Sequence, residues 1–120
     1  MTREEIMAME PGKKLDHIVI ETVLKWHKVE LTPKGNGWFW SDGNTHVGWA
    51  VFSPSVDISA AWEVVEHINK RESHGLALEF YPNEQEWGAD FDELGLSSQA
   101  VSKTAPEAIC KAALFAVLNL

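Results

Sequence analysis

Three sets of side chains in this sequence have the types that chemistry needs. The first is acidic: Glu79, Glu84, Glu86, Asp90, Asp92 and Glu93 fall within one short stretch, and converging carboxylate oxygens are what calcium or magnesium require. Their spacing points elsewhere. Glu86, Asp90 and Asp92 take alternate, outward positions of a strand, which is how a solvated edge is written. No metal site is expected from them. The second set is five histidines, at positions 17, 27, 46, 67 and 74, none of which forms an HxH or HxxxH ligand pair. Glu63 and His67 are four apart on one helix face, an ordinary side-chain pair. His46 stands apart, because it lies in a glycine-rich segment beside Asp42, Asn44 and Thr45, where it either orients a ligand or sits as a turn histidine in water.

The third set is aromatic. Six tryptophans in 120 residues is a high proportion, and Trp38, Phe39, Trp40 and Trp49 concentrate on one segment next to polar turn residues. Some of these rings must fill core. A ring left near an opening offers a flat π-face to a nucleobase. The candidate ligand-binding set is therefore Trp38, Trp40 and Trp49 for stacking, with Asn44, His46, Lys34 and Arg71 as polar contacts.

No serine, threonine or cysteine stands in a nucleophile motif. Cys110 lies inside an apolar helical pattern, away from the electropositive opening that a reactive thiolate needs. Gly35-Asn36-Gly37 is too short for a phosphate loop and precedes no helix. No catalytic residue and no cofactor is expected, so the chain does not read as an enzyme.

The elements that must position these residues are legible from spacing. Thr2 and Glu5 form a capping box that opens a short helix closed by Pro11-Gly12. A second helix is predicted from Lys13 to His27, with Leu15, Ile18, Val19, Thr22, Val23 and Trp26 on its apolar stripe and His17, Glu21 and Lys25 off it. Residues 32–48 hold four of the eight glycines and read as a hairpin, with strands near 37–41 and 47–52 joined through Asp42-Gly43-Asn44. Asp57 caps a third helix whose core stripe is Ile58, Ala61, Trp62, Val65 and Ile68.

Strands are predicted at 76–82 and 86–92 around a Pro82-Asn83 turn, and a short one near 99–103. Thr104 and Glu107 then open a last helix to the C-terminus. Alternation puts apolar side chains on both faces of the aromatic hairpin, and a sheet apolar on both faces must be covered on both. The expected fold is α+β, a three-layer α/β/α sandwich with a largely antiparallel sheet covered by helices on both faces.

At this length one domain, residues 1–120, can bury its own core. Apolar residues make up 45% and charged residues 23% of the chain, an ordinary globular composition. A lone cysteine fits a reducing compartment. The N-terminal stretch carries acids and no apolar leader run, and the apolar stretch from Ala108 to Leu118 is about half of the ~20 residues that span a bilayer. A cytoplasmic location with no membrane partner is expected. The formal charge of -8 repels polyphosphate, which argues against duplex nucleic acid. The last helix has Lys111 as its one charge after Glu107, so it should be buried all round. That predicts a homo-oligomer in which a second subunit covers its outer side.

TREEIMAMEPG (2–12), DISAAWEVVE (57–66) and TAPEAICKAAL (104–114), with the aromatic hairpin between the first two, together resemble a small family of phage and prophage α/β/α (ABA) sandwich domains of uncharacterised function. The resemblance runs over essentially the whole chain. It implies the sandwich fold and an origin in a phage or prophage of a Gram-positive host, with the bacterial cytoplasm as location, and it brings no catalytic residues. The resulting expectation is a non-catalytic phage accessory protein that binds a nucleotide-like small molecule, sequestering a nucleotide-derived host anti-phage signal. Two alternatives stand beside it: a protein-interaction module that inhibits a host enzyme through the acidic face, and a metal-dependent nucleotide hydrolase.

Overall fold

In a computed structural model of the chain, residues 1–31, 37–49, 51–72, 75–91 and 99–120 are described, the side chains of Trp49, Arg71 and Glu72 excepted. The elements run α1 (Arg3–Ala8), α2 (Lys13–Val19), a π-helical turn (Ile20–Leu24), β1 (His27–Glu30), β2 (Trp38–Ser41), β3 (His46–Trp49), α3 (Ile58–Glu72), β4 (Leu76–Tyr81), β5 (Glu86–Phe91), β6 (Ala100–Ser102) and α4 (Ala105–Leu118).

Where capping chemistry was read, it is present. The Thr2 hydroxyl accepts the Glu5 amide while the Glu5 carboxylate accepts the Thr2 amide, a reciprocal capping box. The Asp57 carboxylate accepts the Ser59 amide at 3.0 Å and so caps α3. At α4 the Thr104 hydroxyl accepts the Glu107 amide. The Glu107 carboxylate does not return the bond but turns inward to Lys111, 2.6 Å away.

The second helix ends earlier than its apolar stripe suggests. After Val19 the backbone widens into one π turn, which buries Ile20, Val23 and Leu24 together. Lys25 then takes the left-handed conformation at φ 61° and its amide bonds back to the Ile20 carbonyl. A left-handed lysine is a sterically costly stop that no glycine or proline announces. A strand that the spacing did not predict follows, His27–Glu30, beginning at the residue where the helix was expected to end.

Among the described residues the strands do not form one sheet. Those described make two antiparallel sheets of three strands each, in the orders β1-β2-β3 and β4-β5-β6. In the first, Glu30 faces Trp38 and Phe39 faces Trp49, with a register shift between Trp40 and Ser41. In the second, Leu76 faces Phe91 and Ala89 faces Ala100. The expectation of a single largely antiparallel sheet is corrected accordingly, because β1 supplies the hairpin with a third strand of its own.

Both sheets and all the helices contribute to one core. At its centre is α4, buried without interruption from Glu107 to Ala116. It packs against β5 and β6 and also against α1, α2, the π turn and α3. The apolar circumference of this helix is thus met within one chain. Among the described residues the outward apolar surface of α4 is confined to its end, where Leu118 is exposed.

On α3 the core face is rotated from the expected one. Ala61, Val64, Val65 and Ile68 are buried, whereas Ile58 and Trp62 are 49% and 48% exposed. The small residues Ala60 and Ala61 let α3 approach closely, which moves the contact line away from the large indole.

Candidate functional site

The aromatic hairpin is built by strand alternation. Trp38 and Trp40 leave β2 on one side, and Phe39 leaves it on the other, where its ring lies 4.9 Å from that of His46. Trp40 is 1% exposed, and its indole N–H is buried without a hydrogen-bond partner. Trp38 is half-buried and stands edge-on to Trp40, with ring centroids 5.0 Å apart at 87°. From α2, His17 reaches both indoles edge-on, at 5.7 Å from Trp38 and 5.2 Å from Trp40. Lys28 is the diagonal neighbour of Trp38 across the β1–β2 pair, and its ammonium sits 4.6 Å above that ring. Edge-to-face aromatic pairs contribute about 0.5–1.5 kcal/mol beyond buried area. An exposed cation over an indole adds about 0.5–1 kcal/mol. This cluster joins the first sheet to α2.

A groove opens on the other side of His17. Gly12, Lys13, Asp16 and His17 form one wall, and Phe52, Ser53 and Val56 form the other, around a cavity of about 310 Å³. That volume is at the lower end of the ligand-sized range. The walls are tied together by polar bonds. The buried Asp16 carboxylate accepts the Ser55 amide at 2.7 Å. The Ser55 hydroxyl accepts the Gly12 amide at 2.8 Å and donates to the Gly12 carbonyl at 3.3 Å. Gly12 can serve because its φ of 142° is open to glycine and strained for other residues.

Phe52 is set by a second aromatic contact, with Trp26 at 5.3 Å. The space for Trp26 comes from Gly48, where a Cβ would lie 3.3 Å from the indole and 3.9 Å from the Cβ of Phe52. A glycine inside a strand marks this kind of close approach. A second cavity, of about 490 Å³, is lined by Glu5, Ala8, Met9, Glu10 and Lys14. Its two carboxylates against one ammonium make it a poor seat for an anion.

The expected ligand residues are not all brought together. Trp38 lies beside the groove's inner wall, through His17. Trp40 is sealed in the core, so its faces are closed to a nucleobase. Asn44 is in the exposed β2–β3 turn, where its amide and that of Thr45 both donate to the Asp42 carboxylate at 2.9 Å. Those bonds, Thr45 first and Asn44 second, hold the Asp42 carboxyl below its ordinary value. His46 is exposed on the Phe39 side of the sheet, across from the tryptophan pair. Lys34 lies outside the described residues, as do Asp92, Glu93 and His74. The Trp49 backbone faces Phe39, and its side chain, like that of Arg71, is not described.

What the spacing missed is the groove wall itself: His17, which the helical stripe placed on the wet face, and Phe52, read as the end of a strand. An off-stripe histidine four residues after a helix-opening glycine-lysine pair was the one local signal. Among the described residues no three His, Cys, Asp or Glu side chains converge to hold a metal ion. Among them, too, no helix is long and apolar enough to cross a membrane. Burial above all, and then the nearby Asp16 and Glu107 carboxylates, push the Cys110 thiol well above its ordinary value.

Comparison with known proteins places this arrangement. No curated protein matches the chain. A 2.0 Å crystal structure of a phage protein from Bacillus cereus ATCC 14579 is similar in fold, with a TM-score of 0.63 and 21% identity over 89% of this chain and 91% of that one. The model of the phage ABA sandwich domain family matches residues 17–114, which run from the groove histidine to the middle of the central helix. The chain therefore belongs to the phage ABA sandwich domain family.

Proposed function

We propose that this protein is a non-catalytic phage accessory protein that binds a small nucleotide-derived molecule in the groove beside His17, and so sequesters a host anti-phage signal. The observation that carries the reading is the pairing of two flat rings, His17 and Phe52, with one cation, Lys13, and one carboxylate, Asp16, around a cavity of nucleoside-like dimensions. Stacking on aromatic faces accepts any nucleobase. A lysine at the mouth suits a phosphate, and a carboxylate accepts hydrogen bonds from ribose hydroxyls. Asp16 is already held by the Ser55 amide, which suits recognition better than proton transfer.

Calorimetry against a panel of cyclic and ADP-ribose-type nucleotides tests this. Micromolar or tighter binding at one site per chain is expected, weakened at least tenfold by Phe52→Ala, with the nucleotide recovered unchanged by chromatography. Binding no tighter than millimolar across the panel removes the proposal, and consumption of the nucleotide removes its non-catalytic part.

The acidic reading retains one observation in its favour. In the β4–β5 register, Glu79, Glu86 and Asp90 share one face of the second sheet, although Lys103 offsets Glu86 from 3.5 Å. An inhibitor of a host enzyme acting through this face would show a partner in host lysate that Asp90→Asn releases.

A further inference from the structure

The second sheet is open along one side. Among the described residues β4 has a single strand neighbour, β5, and its four middle residues, Ala77 to Phe80, are exposed. Natural edge strands are usually guarded by lysine, proline, a bulge or a covering element. The β4 sequence, LALEFY, contains no lysine or proline, and Glu79 is its one charge. It pairs with β5 over its whole length without a register shift. Leu76, Leu78 and Phe80 share the face on which Ala89 and Phe91 are buried. Leu78 and Phe80 are nevertheless 38% and 41% exposed. The apolar face thus runs outward from beneath α4 and ends, among the described residues, at a strand with no further neighbour.

We propose that β4 pairs with β4 of a second copy of this chain, antiparallel about a twofold axis at Leu78, so that two three-stranded sheets become one of six strands. A twofold axis normal to the sheet requires facing residues to point to the same side. Two registers satisfy this with good overlap. In the first, Leu76 faces Phe80, Leu78 faces Leu78 and Ala77 faces Glu79. In the second, the axis lies at Glu79 and brings the two carboxylates directly opposite each other, which destabilises a strand pair.

The first register continues the apolar face across the junction and keeps the acids apart. Glu79 is also drawn along its own strand, because its carboxylate bonds the Tyr81 hydroxyl and raises that phenol. Tyr81 is pinned in turn by the Gln99 amide at 3.0 Å and by the bare Gly88 backbone beneath its ring. Self-matching of this kind favours a second copy over an unrelated strand. A strand of this length spans about 20 Å at ~3.4 Å per residue, a small contact beside the ~1,600 Å² of a standard interface. Association is therefore reversible and concentration-dependent.

Sedimentation velocity from micromolar to millimolar concentration should show a monomer–dimer equilibrium. Leu78→Lys, which places two ammonium groups at the axis, should return the chain to monomer with its circular dichroism unchanged. The register is read by cross-linking: under mild oxidation Leu78→Cys should link to itself. Facing Cα atoms in an antiparallel pair lie about 4.5–5.5 Å apart, within disulfide reach, and Glu79→Cys should link at least tenfold more slowly. Should the lysine variant fail to fold, the two cysteine variants still decide. A chain monomeric at every concentration, a dimer that survives Leu78→Lys, or faster linking at Glu79→Cys overturns the proposal. The groove residues lie outside β4, so nucleotide binding by Leu78→Lys reports on the groove separately.

Discussion

Replacing Lys111 with methionine tests how the central helix is held. The lysine is 2% exposed, and its ammonium lies 2.6 Å from the Glu107 carboxylate and 3.0 Å from the Met7 carbonyl at the end of α1. Methionine keeps the apolar stem and removes the charge and every donor. Glu107 is then left as a carboxylate with only 12% of its side chain exposed, and the Met7 carbonyl loses its partner. Removing one member of a buried ion pair costs about 3–5 kcal/mol, and the slight exposure of Glu107 favours the lower end, about 3 kcal/mol. For a domain of this size that lowers the melting temperature by roughly 10–15 °C.

The double variant Lys111→Met/Glu107→Gln leaves no charge at either position of the pair and should recover at least half of the loss, a coupling of about 1.5 kcal/mol or more. Urea unfolding followed by tryptophan fluorescence measures all three variants and the parent chain. A Lys111→Met loss below about 1 kcal/mol, or strictly additive single variants, would refute the view that α4 carries a desolvated ion pair tying it to α1.

Two further outcomes follow from groups whose protonation the fold alters. Cys110 is buried and its thiol is pushed up by desolvation, so it stays protonated at neutral pH. A disulfide reagent should leave the native chain unmodified for hours and label it completely in urea; rapid stoichiometric labelling of the native chain would contradict its placement. Asp42 has a folded value below its unfolded one, so the turn's stabilisation is fully present above the unfolded value, about 3.9, and is lost as pH falls through the folded value. In an acid titration by NMR the Asn44 and Thr45 amides should shift together, at a midpoint below that of free aspartate. Asp42→Ala should abolish the step, and a midpoint at the free value would show the bonds to be absent in solution.

Local chemistry was the most legible part of the fold. Thr2, Asp57 and Thr104 cap helices where their side chains can reach free amides, and those bonds depend only on neighbours a few residues away. The strands at 76–82, 86–92 and 99–103 were legible for a related reason, since alternation and turn residues act over short distances. What failed depended on distant parts. Whether Trp62 or Val64 faces the core is decided by how closely α3 can approach α4. Whether helix continues through His27 is decided by a π turn stabilised by the burial of Ile20, Val23 and Leu24, and that burial exists only once α3 and α4 are in place.

The candidate site shows the same limit in a sharper form. Alternation correctly separates Phe39 from Trp38 and Trp40, but it cannot say which side of the strand meets a helix. The side that meets α2 closes over Trp40 and makes it core. The polar face of α2 still reaches solvent beside that contact, and His17 occupies it, with aromatic edges on one side and a groove on the other. A histidine judged solvated because it lies off the apolar stripe is, in this packing, part of the groove wall to which we assign the ligand. The tryptophans that first suggested stacking position it instead. A Trp40→Phe variant, which trims the indole behind His17, should therefore disturb ligand affinity through the orientation of that ring and not through any contact of its own.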